Sequence, residues 1–476
     1  MQPAFLLSFR DTVTASDAND DRFILSAPNL NLDMGQFSPG IRSAIRSLLD
    51  EEATEEELSD IVLQQEEMSA LPQLFYLLQQ LTNIGLICQT LKVEGEPMAT
   101  IVPIAVPYSL EWEQVEPDRE YVLSRFACAR QEEGKLVIES PLAKARLHVA
   151  DWRAIAFWGL LATPQKISSI SHLIPSLSTE IATTIASLFL STKILDEATE
   201  PQTAIEDTNK TLKQWEFHDL LFHARSRAGR NYGKVGKSYR FLNQIETLPA
   251  VKPPMSEEFI DLYKPDIDRL QQSDRPFTQI LEERKSWREF DSNTPITIQQ
   301  LGEFLYRSAR MRGFARDRYY EASNRPYPTG GAAYELEIYA AVHLCEGLTP
   351  GLYHYCPKDH RLYKIADRTP EVAQLIEIAQ QSTAQQNEQQ VFLIYAARFQ
   401  RVSWAYEAIA YSLILKNVGV LQQTMYLVAE AMDLAGCAIG SGNSDLFAAA
   451  AGTDYYAETS VGEFILGSKL KVADSR

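Results

Sequence analysis

Cationic and hydroxyl side chains are concentrated in one short segment of the sequence. Arg284, Lys285 and Arg288 surround the hydroxyl of Ser286 within five positions. Guanidinium groups donate paired hydrogen bonds to phosphate oxygens, and an ammonium group adds a compact positive charge. This pattern is typical of a phosphate-monoester site. The alternative is a surface segment whose cations pair with nearby carboxylates, those of Glu282, Glu283 and Glu289.

A second segment, residues 324–334, combines prolines with paired glycines. Its central residues are Pro328, Thr329, Gly330 and Gly331. Proline restricts the backbone to an extended loop, while glycine lets a ligand or another chain approach the backbone closely. The alternative is an ordinary tight turn before a strand that we predict from residue 335 onwards.

A third segment, residues 439–445, is predicted to contain a strand end, a glycine-rich turn and the start of a short helix. Gly440, Ser441 and Gly442 form the turn, and Asp445 stands where a dinucleotide-binding fingerprint needs a third glycine. The segment is therefore a weak dinucleotide motif. Its bare backbone amides could still contact a flat ring.

Other chemistry is not indicated by the sequence. It contains no P-loop, no G-x-S-x-G and no H-E-x-x-H motif, and its five cysteines are scattered. We therefore predict no metal site and no disulfide framework, and we expect a reducing, cytoplasmic location. No apolar run approaches the ~20 residues that a spanning helix requires, so we predict no membrane association.

The elements that position these segments are predicted from hydrophobic periodicity. A long apolar helix over 403–435, ended by Gly436, belongs in a core or a subunit interface. Strands are predicted at 336–342, 391–396 and 462–466. Residues 215–223 form an amphipathic helix, and the basic, glycine-rich stretch 224–240 is interpreted as a connector clamped on the next domain, with an anion or RNA contact as the alternative.

The first 200 residues contain an internal repeat with an offset of 113 positions. Helix-start signals at Ser38 and Asp151 are separated by this offset, and each follows short strand-like runs. Thr54 opens a second helix with a capping-box pattern. Each copy is therefore predicted to contain strands followed by three helices, which suggests two small winged-helix-like modules.

The charge distribution bears on what these modules bind. The chain has 45 Lys and Arg against 63 Asp and Glu, a net charge of −18. Residues 1–100 alone hold five basic and sixteen acidic residues. Because nucleic-acid affinity depends on cations that neutralise phosphates, we predict no nucleic-acid partner for the first module. The alternatives are a solvated acidic helix face and an acidic surface for a basic partner.

Taken in order, these elements resemble the SagB-type dehydrogenase branch of the nitroreductase-like flavoproteins, and most closely the cyanobactin thiazoline oxidases. The resemblance covers residues 215–476. It rests on W-x-F-x-D-L-L-F-H at 215–223, R-x-S-x-R at 284–288, Pro-Thr-Gly-Gly-Ala at 328–332, the late helix with Gly419 and Gln423, and the glycine turn at 440–442. The two repeats are similar to the peptide-clamp modules that add a leader peptide as a strand.

This resemblance implies FMN bound at the interface of a homodimer. Arg284, Ser286, Arg288 and Lys469 would hold the phosphate. The isoalloxazine would be flanked by the loop of one subunit and the glycine turn of the other; the residues implied for this role are Pro328, Thr329, Gly330, Gly331, Gln423, Ser441 and Gly442. The implied activity is oxidation of thiazoline or oxazoline rings in a ribosomally made peptide, with O2 as electron acceptor.

One residue departs from the family pattern. Relatives often carry Lys-Tyr before the late helix, whereas this chain has Ala405-Tyr406. Tyr406 is the candidate catalytic base, but an unperturbed tyrosine has a pKa near ~10 and needs a neighbouring cation, such as Arg398 or Arg401, to lower it. Tyr406 as a packed core aromatic remains the alternative.

The predicted fold class is α+β, with two winged-helix-like modules followed by a nitroreductase-like domain. The predicted domains are module 1 at 1–105, module 2 at 106–200, a connector helix and linker at 201–254, and the FMN domain at 255–476. Two other functions stay open: an NAD(P)H-dependent nitroreductase or flavin reductase, and an inactive peptide-binding scaffold.

Overall fold

The computed structural model describes residues 3–17, 22–27, 30–199, 203–231, 234–383 and 389–470. The chain divides into two units, Met1–Val235 and Gly236–Arg476. Both units combine helices with antiparallel sheets, which confirms the predicted mixed α and β class. The finer boundaries at 105, 200 and 254 stay a prediction.

The first repeat has short strands followed by three helices, as predicted. Its elements are β1 (Ala4–Phe9), β2 (Thr14–Asp17), β3 (Phe23–Ala27), β4 (Leu30–Asp33), α1 (Pro39–Asp50), α2 (Glu55–Leu63), α3 (Leu71–Asn83), β5 (Ile87–Val93) and β6 (Glu96–Pro103). A single 3-10 turn, Met68–Ala70, precedes α3. Pro39 begins α1 directly after Ser38, and the Thr54–Glu57 capping box begins α2.

The second repeat follows the same order from β8 onwards. Its elements are β7 (Glu120–Leu123), β8 (Cys128–Glu132), β9 (Lys135–Glu139), β10 (Ala145–Val149), α4 (Trp152–Leu160), β11 (Gln165–Lys166), α5 (Ile167–Ser171), α6 (Thr179–Ser191) and β12 (Leu195–Thr199). Three elements follow in the region predicted as the connector: β13 (Thr203–Ala204), α7 (Ile205–Thr208) and α8 (Phe217–Arg225). Asp151 caps α4 with its side chain, so both predicted helix starts are confirmed.

The sheets of this unit join the two repeats. A six-stranded antiparallel sheet runs in the order β1-β5-β6-β10-β9-β8, so that β6 of the first repeat pairs with β10 of the second. Strands β2, β3 and β4 form a separate three-stranded sheet. The repeats therefore share an order of elements but differ in how their strands pair. One apolar core lies within the first repeat, while the other combines residues of the second repeat with Leu91, Val93, Met98, Ala99 and Ile101 of β5 and β6.

The second unit contains the three segments that carry candidate chemistry. Its elements are β14 (Gly236–Lys237), β15 (Phe259–Asp261), α9 (Ile267–Ser273), α10 (Phe277–Glu283), α11 (Ile298–Ala309), β16 (Gly313–Arg316), β17 (Glu321–Asn324), β18 (Leu336–Val342), β19 (Gly351–Cys356), β20 (Arg361–Asp367), α12 (Pro370–Ser382), β21 (Val391–Arg398), α13 (Gln400–Ser403), β22 (Tyr406–Glu407), α14 (Ala410–Ala431), β23 (Leu434–Ile439), α15 (Ser444–Ala451) and β24 (Glu458–Ser468).

A seven-stranded antiparallel sheet forms the centre of this unit, in the order β15-β20-β19-β18-β21-β24-β23. Helices α11 and α14 pack on one face, and α12 and α15 pack on the other. Because both faces are covered, β18 and β21 are buried at every position, and both strands are apolar apart from Glu337 and Arg398. All three predicted strands are confirmed, two of them longer than predicted.

The late helix is shorter than the predicted span of 403–435. The chain forms α13 and the two-residue strand β22 before α14 begins at Ala410. The prediction that Gly436 ends the helix is wrong, because Gly436 lies inside β23. A side chain at Gly436 would lie 2.7 Å from Cζ of Phe464, so the glycine is explained by packing rather than by capping.

Candidate functional site

The glycine loop lies between β17 and β18, where a 3-10 turn spans Gly330–Ala332. The Oγ1 of Thr329 accepts a hydrogen bond from the backbone N–H of Tyr334 at 3.1 Å. Gly331 has a left-handed backbone, with φ of +63°. A Cβ there would lie 2.7 Å from the hydroxyl of Tyr320, so both conformation and space require glycine.

A chain of hydrogen bonds holds this loop against α14. The backbone N–H of Gly330 donates to Oδ1 of Asn417 at 3.2 Å. The Nδ2 of Asn417 in turn donates to Oε1 of Glu335 at 2.8 Å. Asn417 and Glu335 are both buried. The position of the loop is therefore fixed by interior polar groups, while Pro328 at its start is exposed.

Tyr406 lies beside this loop in a cluster that the sequence did not predict. Strand β22 pairs with β14, which places Lys237 directly opposite Tyr406. The Nζ of Lys237 lies 2.8 Å from Oδ2 of Asp317, and 5.2 Å and 5.6 Å from the ring centroids of Tyr320 and Tyr406. The hydroxyl of Tyr320 donates to the carbonyl of Gly331 at 2.7 Å.

The pKa shifts in this cluster favour hydroxyl groups and one ammonium group. Burial raises the pKa of Tyr406 and of Tyr320, and the charge of Lys237 only partly opposes this effect. Burial disfavours the charge on Lys237, but hydrogen bonds with Asp317 and the tyrosines raise its pKa overall. At neutral pH the cluster therefore holds a charged lysine and protonated tyrosines.

The two arginines named as candidate cations for Tyr406 form hydrogen bonds with other groups. Arg401 donates to the carbonyls of Leu248, Glu321 and Ala333. Arg398 donates to the carbonyl of Pro249 and to Glu337. Neither arginine brings the pKa of Tyr406 below its ordinary value, because burial raises it. The cation that acts on Tyr406 is Lys237.

The basic segment, which comprises residues 284–288, follows α10 and lies beside the ends of β23 and β24. The hydroxyls of Ser286 and Tyr426 are 2.9 Å apart, and Tyr426 also accepts from the backbone N–H of Ala438 at 2.7 Å. The guanidinium of Arg284 lies 5.2 Å from the Tyr426 ring centroid. Arg288 is exposed. Within the described ranges, neither arginine forms an ion pair, so the alternative, in which they pair with the nearby glutamates, is not observed.

Lys469 also lies at this place, but its charge is already balanced. It follows β24 and forms a β-bridge with Phe290. Its Nζ lies 3.0 Å from a carboxylate oxygen of both Glu430 and Asp433, and 5.1 Å from the ring centroid of Trp287. The structure thus brings Lys469 to the basic segment with two acidic partners.

The third segment has the predicted order of strand, turn and helix, from β23 to α15. The hydroxyl of Ser441 lies 3.1 Å from that of Ser382. Gly442 packs on the carboxyl of Glu463, a buried residue of β24, which occupies the space where a Cβ would lie. Gln423 is exposed on α14, and we find no hydrogen bond of its side chain in the described part of the chain.

The predicted site residues therefore fall into three groups in the second unit. The glycine loop lies with Tyr406, the basic segment lies with Lys469, and Ser441 lies with Gly442. Sequence reasoning missed other members of these groups, because strand pairing and helix packing bring them in from distant positions. These residues are Lys237, Asp317, Tyr320, Asn417 and Glu463. The sequence feature that could have pointed to one of them, Lys237, is the basic, glycine-rich stretch 224–240 in which it lies.

Three family models match successive parts of the chain. The model described as the cyanobactin oxidase ThcOx helix-turn-helix domain matches residues 1–112. The cyanobactin oxidase ThcOx model matches residues 121–232, and the nitroreductase family model matches residues 281–468. These matches confirm the predicted family resemblance. The chain thus has a helix-turn-helix-type domain at its N-terminal end and an oxidoreductase-type domain of the nitroreductase family after it.

Individual proteins are similar to parts of the chain. A protein of Methanocaldococcus jannaschii named as a nitroreductase is 28% identical over 185 residues, which covers 38% of this chain and 84% of the relative. The microcin synthetase McbBCD complex of E. coli, solved with a truncated pro-peptide bound, shares 17% identity with a TM-score of 0.34, covering 46% of this chain and 79% of that one.

A nitroreductase-type protein of Exiguobacterium sibiricum, solved in complex with FMN, shares 13% identity with a TM-score of 0.29. The match covers 42% of this chain and 93% of that one. Among the described residues of the present chain, no helix is both long and apolar enough to cross a membrane.

Proposed function

We propose that this protein catalyses the FMN-dependent dehydrogenation of thiazoline or oxazoline rings in a ribosomally made peptide, with O2 as the final electron acceptor. The observation that supports this proposal is the cluster of Lys237, Tyr320 and Tyr406 at the Gly330–Gly331 loop. It places one ammonium and two hydroxyl groups, which can stabilise negative charge on a ring that loses a proton, in a nitroreductase-family domain. The match to cyanobactin oxidase models in the first 232 residues supports a peptide substrate.

The residues present fit the phosphate of FMN. Arg284 and Arg288 carry positive charges that no carboxylate pairs with in the described residues, and Ser286 offers a hydroxyl between them. Phosphate oxygens would satisfy these donors. Lys469 would contribute less charge, because Glu430 and Asp433 already neutralise it.

The residues around the glycines fit a flat ring. Gly330 and Gly331 are half-buried and carry no side chains beside Thr329, and Ser441 and Gly442 are exposed on their turn. We propose that the loop of one subunit and the turn of another flank the isoalloxazine, in a homodimer. Gln423, exposed on α14, would face the same site, and Pro328 would border it.

FMN, when bound, supplies an acceptor for the hydride that leaves the azoline ring. The chain's own residues would control protons and position. Because burial keeps Tyr406 and Tyr320 protonated, they would act as hydrogen-bond donors rather than as bases, and the proton that the azoline ring loses would pass to solvent water. The ammonium of Lys237 would stabilise negative charge that develops beside Gly331. Asp317 would hold Lys237 in place.

Mass spectrometry of an azoline-containing peptide after incubation tests this proposal. We expect a loss of two hydrogens per ring. The double variant Arg284→Ala plus Arg288→Ala should lose both the flavin absorbance and this oxidation. A charge-matched control, Arg269→Ala plus Arg368→Ala, removes two exposed arginines of the same unit and should keep both. Unchanged oxidation in the first double variant would refute the assigned phosphate site.

A second candidate function is an NAD(P)H-dependent reductase of small molecules. The nitroreductase-family match and the M. jannaschii relative favour it. Rapid bleaching of the bound flavin by NAD(P)H, together with no change in the mass of an azoline peptide, would select this function over peptide oxidation.

A further inference from the structure

A carboxyl group without a counter-charge lies inside the second unit, at Glu463. Its neighbours across the sheet are Ile394 of β21 and Ile439 of β23, both apolar. Glu463 is only 5% exposed. No lysine, arginine or histidine forms an ion pair with it in the described ranges. An isolated buried carboxylate is costly unless it is paired or protonated.

This carboxyl group packs directly on the glycine turn. A Cβ at Gly442 would lie 2.7 Å from Oε2 of Glu463 and closer still to Oε1. Any side chain at this position would therefore displace the carboxyl. Glycine is needed at position 442 because the Glu463 carboxyl occupies the space of a Cβ. The sequence pattern did not indicate this contact.

The elements around Glu463 offer little compensation for its charge. Helix α14 presents the neutral Gln422, whose amide donates to the backbone carbonyl of Glu463 at 3.3 Å. Strand β21 presents the buried Tyr395, and α15 adds only the exposed acid Asp445. Burial therefore raises the pKa of Glu463 to about 7, although a hydrogen bond with Ser460 works against this shift.

We propose that Glu463 is a positioning residue for the Gly440–Gly442 turn, and that its neutral, protonated form supports the turn in the conformation that receives the flavin ring. This inference rests on the proposed function, since it assigns the turn to the flavin. Loss of the proton leaves a charge that needs water. A ring lying on the turn would remove that water, so flavin binding and proton loss oppose each other.

The test compares the wild type with Glu463→Gln, which keeps the size of the side chain and cannot ionise. FMN affinity is measured by fluorescence quenching at pH 6 and pH 8. The phosphate of FMN itself titrates near pH ~6, so the informative quantity is the ratio between the two proteins. We expect the affinity of the wild type, relative to the variant, to fall roughly tenfold between these pH values.

The matched control is Glu377→Gln, which neutralises an exposed carboxyl of α12 and should follow the wild type. Equal pH dependence in the wild type and Glu463→Gln would overturn the inference. If neither protein binds FMN at pH 6, the proposed function fails.

A second measurement judges Glu463 without any flavin. Infrared difference titration of the apoprotein should show a protonated carboxyl band that is missing in Glu463→Gln and disappears with a midpoint near neutral pH. A midpoint below pH ~5, as in an ordinary glutamate, would also overturn the inference.

Discussion

Replacing Glu463 by glutamine should stabilise the second unit at high pH and leave it nearly unchanged at low pH. The pKa of Glu463 is about 7 in the fold against an ordinary value of 4.5. The folded protein therefore retains a proton that the unfolded chain releases, so stability falls as the pH rises through this window. With 1.36 kcal/mol for each pKa unit, the loss is about 3 kcal/mol above pH 7 and disappears below pH 4.5.

The assay has to report on the second unit alone, because the chain has two units that need not unfold together. Hydrogen exchange followed by mass spectrometry gives the free energy of opening for peptides that cover β21 and β24. At pH 8 we expect slower exchange of these peptides in Glu463→Gln than in the wild type.

At pH 5 the two proteins should exchange alike once the intrinsic pH dependence of exchange is removed. Glu377→Gln serves as the control and should match the wild type at both pH values. A variant that is equally stable, or less stable, at both pH values would refute the reasoning, since it would show that the carboxyl at this position is not held in a neutral state by burial.

Three further changes test the glycine loop. Gly331→Ala should destabilise the second unit by about 1–3 kcal/mol, because alanine disfavours the left-handed backbone, whereas Gly313→Ala, with no atom near its Cβ position, should be close to neutral in the same urea titration. Asn417→Ala should cost about 1–3 kcal/mol in that titration, because it leaves a buried acceptor and a loop N–H unpaired. Lys237→Met should raise the pKa of Tyr406 further, which ultraviolet titration of tyrosinate detects; an unchanged titration curve would contradict the assigned contact.

The helix starts and the central strand were predicted correctly because they depend on residues that are close together in the sequence. The capping box at Thr54 and the cap at Asp151 begin helices because a side chain satisfies the first free N–H groups, and this needs only neighbouring residues. The continuous apolar run in β21 likewise follows from burial on both faces. These features depend on few positions, and the sequence displays all of them.

The candidate site could be predicted only in part, because its members come from distant positions. The glycines at 330–331 and the cations at 284–288 stand out by residue type. Lys237 does not, since only the pairing of two short strands brings it to Tyr406. The prediction that Gly436 ends a helix is wrong, because a glycine that leaves space for the Phe464 ring and a glycine that caps a helix look alike in a sequence.

The pairing of β14 with β22 also determines where a truncated fragment of this chain can begin. A fragment that begins at residue 255, the predicted start of the FMN domain, lacks Lys237 and the carbonyls of Leu248 and Pro249 that Arg401 and Arg398 bind. Such a fragment would keep the seven-stranded sheet while losing the cation beside Tyr406. The linker residues from Lys237 to Pro249 are therefore part of the oxidoreductase-type unit. A variant in which the N-terminal modules are exchanged has to retain these residues.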